Sequence, residues 1–230
     1  LAVAALIIVL AVRSGFRTEF VDAILGANAH MTVFEYSIDP KNDNKVDYAI
    51  TEYDLLAERI AGVPGVKRAA PIIRNQVMAN SADFNTGVVV YGISLANLKA
   101  IPNIANSDGS KGNIEDFADG VAIGAGVAKS LRLVIGDRIK FISPNGIRTA
   151  FGISPRVKSF NVVYIFRAGH YEIDQTRVYM PFGSAQRFFD REGFADEIEV
   201  FLDDPEAVEN FKSTLIFEIQ FTCIIIRTHK

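Results

Sequence analysis

Residues 48–93, YAITEYDLLAERIAGVPGVKRAAPIIRNQVMANSADFNTGVVVYGI, decide the fold class. Within Tyr48–Ile60 the apolar side chains Leu55, Leu56, Ala57 and Ile60 recur at helical spacing, and Gly62 and Pro64 end the helix. Val66–Ala79 reads as a strand, or as two strands bent at Pro71, and Gly87–Ile93 as a strong valine-rich strand. Upstream, His30–Tyr36 sets Met31, Val33 and Tyr36 among Thr32 and Glu35, which suits a half-buried strand, and Asp39–Asp47 has loop composition. The first part of the chain is therefore β-α-β-β in character.

Working outward, the pattern weakens after Ser94, and Asn103–Asn113 reads as loop. Val121–Ile123 is a short strand, Ala125–Leu131 a short helix, and Asp137–Ile142 and Ser159–Phe166 are strands. The last third returns to β-α-β: strand Arg177–Met180, helix Gly183–Phe189, then strand Glu197–Leu202 with Ile198, Val200 and Leu202 inward. Asp204-Pro205 supplies an N-cap and a first-turn proline for a further helix. A β-rich middle between βα units predicts an α+β chain of two lobes. One lobe comprises 28–93 and 171–216, and a mostly β lobe is inserted at 94–170.

The chain has 230 residues, 49% of them apolar, enough for two small lobes with cores of their own. A net charge of −3 with both signs dispersed lacks the basic footprint of a nucleic-acid binder. One cysteine, Cys223, excludes an intrachain disulfide framework and a thiolate metal cage. Leu1–Val12 holds no polar side chain but is shorter than the roughly 20 residues of a bilayer span. A buried core helix and a signal-peptide core are the rival readings. Arg13-Ser14-Gly15-Phe16-Arg17 after the run suits the exit of a membrane helix, so 1–27 is read as the end of such a helix and its extension.

Catalytic motifs fail on spacing. Gly120–Ser130 has strand, glycine turn, helix and Lys-Ser, but a phosphate loop needs glycine where Ala128 stands, and Lys129 spoils a dinucleotide fingerprint. His30, His170 and His229 are scattered without partner ligands, and no serine sits in a nucleophile elbow. Neither enzyme activity, nor a metal, nor a cofactor is expected. Ile142–Lys158 is different: it reads as a long loop between two strands, with two prolines and two glycines, yet it carries Ile147, Phe151, Ile153 and Val157 among Arg148, Arg156 and Lys158. Hairpin loops usually span about two to five residues. A protruding docking loop fits this composition, and a loop folded back on its own core is the alternative.

Several stretches resemble the LolC/LolE permeases in the order that family has them. They are Arg13–Glu19 with Ile24-Leu25-Gly26 and His30, then Ala69-Ala70-Pro71, Val90–Ile93, Val121–Gly124 and Ile135-Gly136-Asp137. Phe151-Gly152-Ile153-Ser154-Pro155-Arg156-Val157-Lys158 with Phe160 follows, then Gly169–Asp174 and Tyr179-Met180-Pro181. The resemblance implies the periplasmic domain of an ABC-transporter permease in the bacterial inner membrane, with residues from about 28 onward in the periplasm. It implies a cytoplasmic ATPase, a second permease subunit or copy, a periplasmic lipoprotein carrier and lipoprotein cargo as partners. It also implies a porter-like lobe, a sabre-like insertion as in MacB-type transporters, and a carrier-binding hook. The hook residues would be Thr149, Phe151, Gly152, Ile153, Ser154, Pro155, Arg156 and Lys158. A MacB-like efflux or mechanotransmission permease is the nearest rival, and an extracytoplasmic binding module on one helix is a third class. Residues 217–230 depart from the family: Phe217–Ile226 reads as a strand where a helix is expected.

Overall fold

The computed structural model describes residues 9–12, 29–39, 45–105, 107–149, 152–204, 208, 211–213, 215 and 224–228. Val9–Val12 are helical, and the rest of 1–27 lies outside the described residues. No helix among the described residues is long and apolar enough to cross a membrane.

Strand β1 (Met31–Asp39) pairs with β2 (Lys45–Tyr48), with β10 (Glu197–Leu202) and with β11 (Ile224–Thr228), all antiparallel. The strand at Lys45–Tyr48 replaces part of the expected 39–47 loop, and helix α1 begins later than its periodicity suggested, at Tyr53–Ala61. Leu56, Ala57 and Ile60 of α1 pack on Met31, Val33, Ile198 and Val200, and Ile226 of the C-terminal strand joins the same cluster. His30 closes this unit: its Nδ1 accepts a 3.0 Å hydrogen bond from the Leu202 amide, and burial pushes its pKa down.

Strand β3 runs unbroken over Val66–Ser81, with no break at Pro71. Pro71 faces Ile198 of β10, while pairing with β4 (Phe84–Ile93) begins only at Ile73. The missing amide of Pro71 therefore falls where β3 has a neighbour on one side alone. After β4, where the pattern weakens, come α2 (Leu95–Lys99), α3 (Pro102–Ala105), β5 (Lys111–Gly112) and a 3₁₀ helix (Ile114–Asp119); part of α3 and all of β5 fall within the expected 103–113 loop. Next are β6 (Val121–Gly124), α4 (Ala125–Leu131), β7 (Arg138–Thr149), β8 (Gly152–Phe166), α5 (Tyr171–Thr176), β9 (Arg177–Pro181) and α6 (Phe182–Phe189). A Cβ on Gly124 would overlap the Asp174 carbonyl, so the glycines after β6 serve the close approach of α5.

The pairings β3–β4–β9–β6–β8–β7 return to β3 and close a circuit. On one face Val77, Val88, Val90, Ile139, Phe141 and Val178 pack with α4 and α6. On the other Ile72, Tyr91, Ile93, Tyr164, Phe166 and Tyr179 pack under α2, α3 and the 3₁₀ helix. β3 and β4 lie in segment 28–93, yet they supply both clusters alongside elements of 94–170. Each fully buried large side chain here, such as Phe117 or Phe141, contributes about 1.5–3 kcal/mol of transfer free energy.

Candidate functional site at the β7–β8 hairpin

Residues 142–158 are not a long loop. Pairing runs from Arg138↔Asn161 to Ser143↔Arg156, slips, and resumes from Ile147↔Ser154 to Thr149↔Gly152. Three residues, Pro144–Gly146, stand opposite Pro155 at the slip, so both prolines sit where the ladder is already interrupted. A Cβ on Gly146 would overlap the Ser154 carbonyl oxygen, so only glycine fits this crossing of backbones. Gly152 has φ +120°, in the region glycine favours, at the end of the connection. The prolines and glycines that give this segment a loop's composition mark a bulge and the end of a ribbon.

This ribbon places the residues assigned from sequence unequally. Thr149, Gly152, Ile153 and Ser154 form the paired tip, and Gly152 and Ser154 are exposed. Phe151 lies outside the described residues. Pro155 is exposed at the slip, and Lys158 is exposed with its Nζ 5.3 Å from the centre of the Phe160 ring. Arg156 points back to the body: its Nη2 donates a 2.7 Å hydrogen bond to Asp190 Oδ2, just past α6.

Alternation explains the two faces of the stem. Ile139, Phe141 and Ser143 on β7 share a face with Phe160, Lys158 and Arg156 on β8. There Phe160 lies 5.6 Å from Phe141 and meets Phe188 of α6 edge-on at 6.0 Å, centroid to centroid. The opposite face carries Ile142 and Val157, continued on β3 by Met78 and on β4 by Gly87 and Val89. Val157 and Met78 are 57% and 50% exposed. A groove of about 770 Å³ opens on this side, lined by Gln76, Met78, Gly87, Ile142, Pro144 and Pro155 among others.

A second set of polar residues, which sequence reading did not single out, lies where β10 joins β3. Asp196 Oδ2 accepts from the Arg74 amide at 2.9 Å, and its Oδ1 is 3.1 Å from Arg191 Nε. Glu197 is 4% exposed, 3.6 Å from Arg74 Nη1. Burial, then the charge of Glu199, pushes its pKa up to about 7 against the opposing pull of Arg74. The alternation Glu197-Ile198-Glu199-Val200 signals two faces, and the face opposite the isoleucine is covered as well, which no local pattern reveals. Among the described residues no group of three or more His, Cys, Asp or Glu could hold a metal ion.

Comparison with known proteins supplies the wider context. The family described as MacB-like periplasmic core domain matches residues 1–216. A lipoprotein-releasing system transmembrane protein LolC of Neisseria meningitidis is 26% identical over 99% of this chain and 53% of its own length. A LolE protein of Haemophilus influenzae is 24% identical over 94% of this chain and 51% of its own. The chain thus spans about half the length of these curated relatives. Among solved structures, the extracellular domain of the noncanonic ABC-type transporter YknZ from Gram-positive bacteria superposes with a TM-score of 0.52 at 14% identity. It covers 86% of this chain and 100% of that one. The periplasmic region of MacB from Actinobacillus actinomycetemcomitans gives 0.53 at 10% identity, with 89% and 91% covered. These likenesses establish the mixed α+β fold.

Proposed function

The chain belongs to the family of MacB-like periplasmic core domains, and from that premise we propose that it is the periplasmic part of an ABC-transporter permease that releases lipoproteins. In this reading the permease sits in the bacterial inner membrane, with residues from about 28 onward in the periplasm. A separate cytoplasmic ATPase supplies the energy, a second permease subunit or copy completes the transporter, and a periplasmic carrier takes the lipoprotein. The names of the relatives aligned along nearly the whole chain support this assignment. The chain itself does no catalysis in this scheme. The cluster under α1 belongs to a porter-like lobe, and 94–170 builds the sabre-like one.

The observation that carries the reading is the β7–β8 ribbon. Among the described residues its tip pairs only with itself beyond the slip, and the outer face of its stem is apolar and open. The carrier docks on the tip of this ribbon, with Phe151, Gly152, Ile153, Ser154 and Pro155 as the contact segment. Binding of a purified periplasmic lipoprotein carrier to the intact protein tests this directly. Replacing Phe151 and Pro155 by alanine is expected to abolish binding while the melting temperature holds. A folded protein with no affinity for the carrier that instead binds a periplasmic adaptor would overturn the reading in favour of an efflux permease.

A further inference from the structure

The hairpin is held to the body by an ion pair between Arg156 and Asp190. Helix α6 ends at Asp190, whose φ of +61° turns the chain sharply. The turn is fixed by hydrogen bonds: the Arg191 amide donates to the Gln186 carbonyl at 2.8 Å, and the Phe194 amide to the Arg191 carbonyl at 2.9 Å. Gln186 Nε2 donates to the Phe194 carbonyl at 2.9 Å, and Arg191 pairs with Asp196. The Asp190 carboxylate is thereby presented from a rigid corner of the body.

Arg156 receives it at a particular place. Phe160 and Arg156 share one face of β8, the first against Phe188 and the second against Asp190. β3 pairs with β7 only as far as Ile142, and the register slips just after Ser143↔Arg156. Among the described residues, Arg156 is therefore the last position at which an ion pair ties the ribbon to the body before the tip. Its side chain is 20% exposed, little for a residue meant to meet a partner.

We infer that Asp190 is a positioning residue, which clamps the hairpin through Arg156 and sets the angle at which the tip is presented. Arg156 acts through Asp190 and not on the partner. The part of this inference that concerns a partner rests on the carrier-docking reading above.

A double-mutant cycle on the intact protein tests it, with Asp190→Asn, Arg156→Gln and both together. Asparagine tolerates the left-handed backbone at 190 and removes only the charge. Tip orientation is read from the distance distribution between spin labels at Ser154→Cys and Asp83→Cys in a Cys223→Ser background, and affinity from binding of the purified lipoprotein carrier. Each single variant is expected to broaden the distances and weaken carrier binding about fivefold, as an ion pair of this exposure allows. The double variant should lose no more than either single one, with the melting temperature unmoved. Wild-type distances in Asp190→Asn, or losses that add in the double variant, would overturn the clamp. If the wild-type protein binds no carrier, the docking reading fails, and the distance distributions alone still decide the clamp.

Discussion

Two long ribbons lie side by side in this sheet, and they solve opposite problems. β3–β4 keeps one register from Ile73↔Gly92 to Ser81↔Phe84, around a tight turn in which Ala82 has φ +48°. β7–β8 keeps register only to Ser143↔Arg156, then gives three residues to one strand against one on the other. A ribbon in register is an extension of the sheet; a bulge bends the strand and raises its local twist, so the part beyond can be aimed independently. Their tethers differ too. The foot of β3 is tied to β10 by the half-exposed Arg74 and the buried Glu197, whereas β8 is tied to the end of α6 by the largely covered Arg156 and the exposed Asp190.

The contrast between the held and bare faces of the β7–β8 stem should break most visibly at Phe141. Phe141→Ala empties a fully buried site and is expected to cost about 3–5 kcal/mol in chemical denaturation, while Val157→Ala on the bare face stays within about 0.5 kcal/mol. Equal costs would mean that the outer face is covered after all. A smaller effect separates the two ribbons. Gly146→Ala forces apart backbones that now touch and should destabilise by about 1–3 kcal/mol. Gly87→Ala, with nothing within 4 Å of the added atom, should be neutral or mildly stabilising.

The tethers should separate by pH. Glu197 has a raised folded-state pKa, about 7 against an ordinary 4.5, so the folded form binds a proton that the unfolded form releases over that interval. Its contribution is fully present below about pH 4.5 and is lost as pH rises through 7, a fall of about 3 kcal/mol. Thermal melts of wild type and Glu197→Gln between pH 5 and pH 8 would show it: the variant's profile should be flatter. The smallest expected effect is on the exposed tether, where Asp190→Asn should change stability by less than about 1 kcal/mol at any of these pH values. A loss well above that would make the pair structural for the whole body.

Much of the architecture could be read from local pattern. The helical spacing of Leu56, Ala57 and Ile60 and the alternation at Ile198, Val200 and Leu202 appear in the structure as α1 and β10. What misled was punctuation. Pro71, Pro144 and Pro155 break strands in a local reading, yet Pro71 stands where β3 has a neighbour on one side alone, and Pro144 and Pro155 stand where the ladder is already interrupted. Residues 142–158 were legible as unusual through their prolines, glycines and apolar residues, but the direction of each side chain was not. Arg156 sits in a run of candidate contacts, and only the position of Asp190, 34 residues away, shows that it faces the body.

The sequence by itself determined most of the helices and strands of strong periodicity, that the chain mixes them around more than one core, and that 142–158 is no ordinary turn. Those features are written in spacing and in residue chemistry over a few neighbours. Only the tertiary structure decided that six strands close a circuit, that Glu197 is buried on a face that looked polar, and that one side of the hairpin is gripped while the other is bare. Each of these depends on which distant strand supplies the next hydrogen bond or the covering side chain, and no local pattern contains that choice.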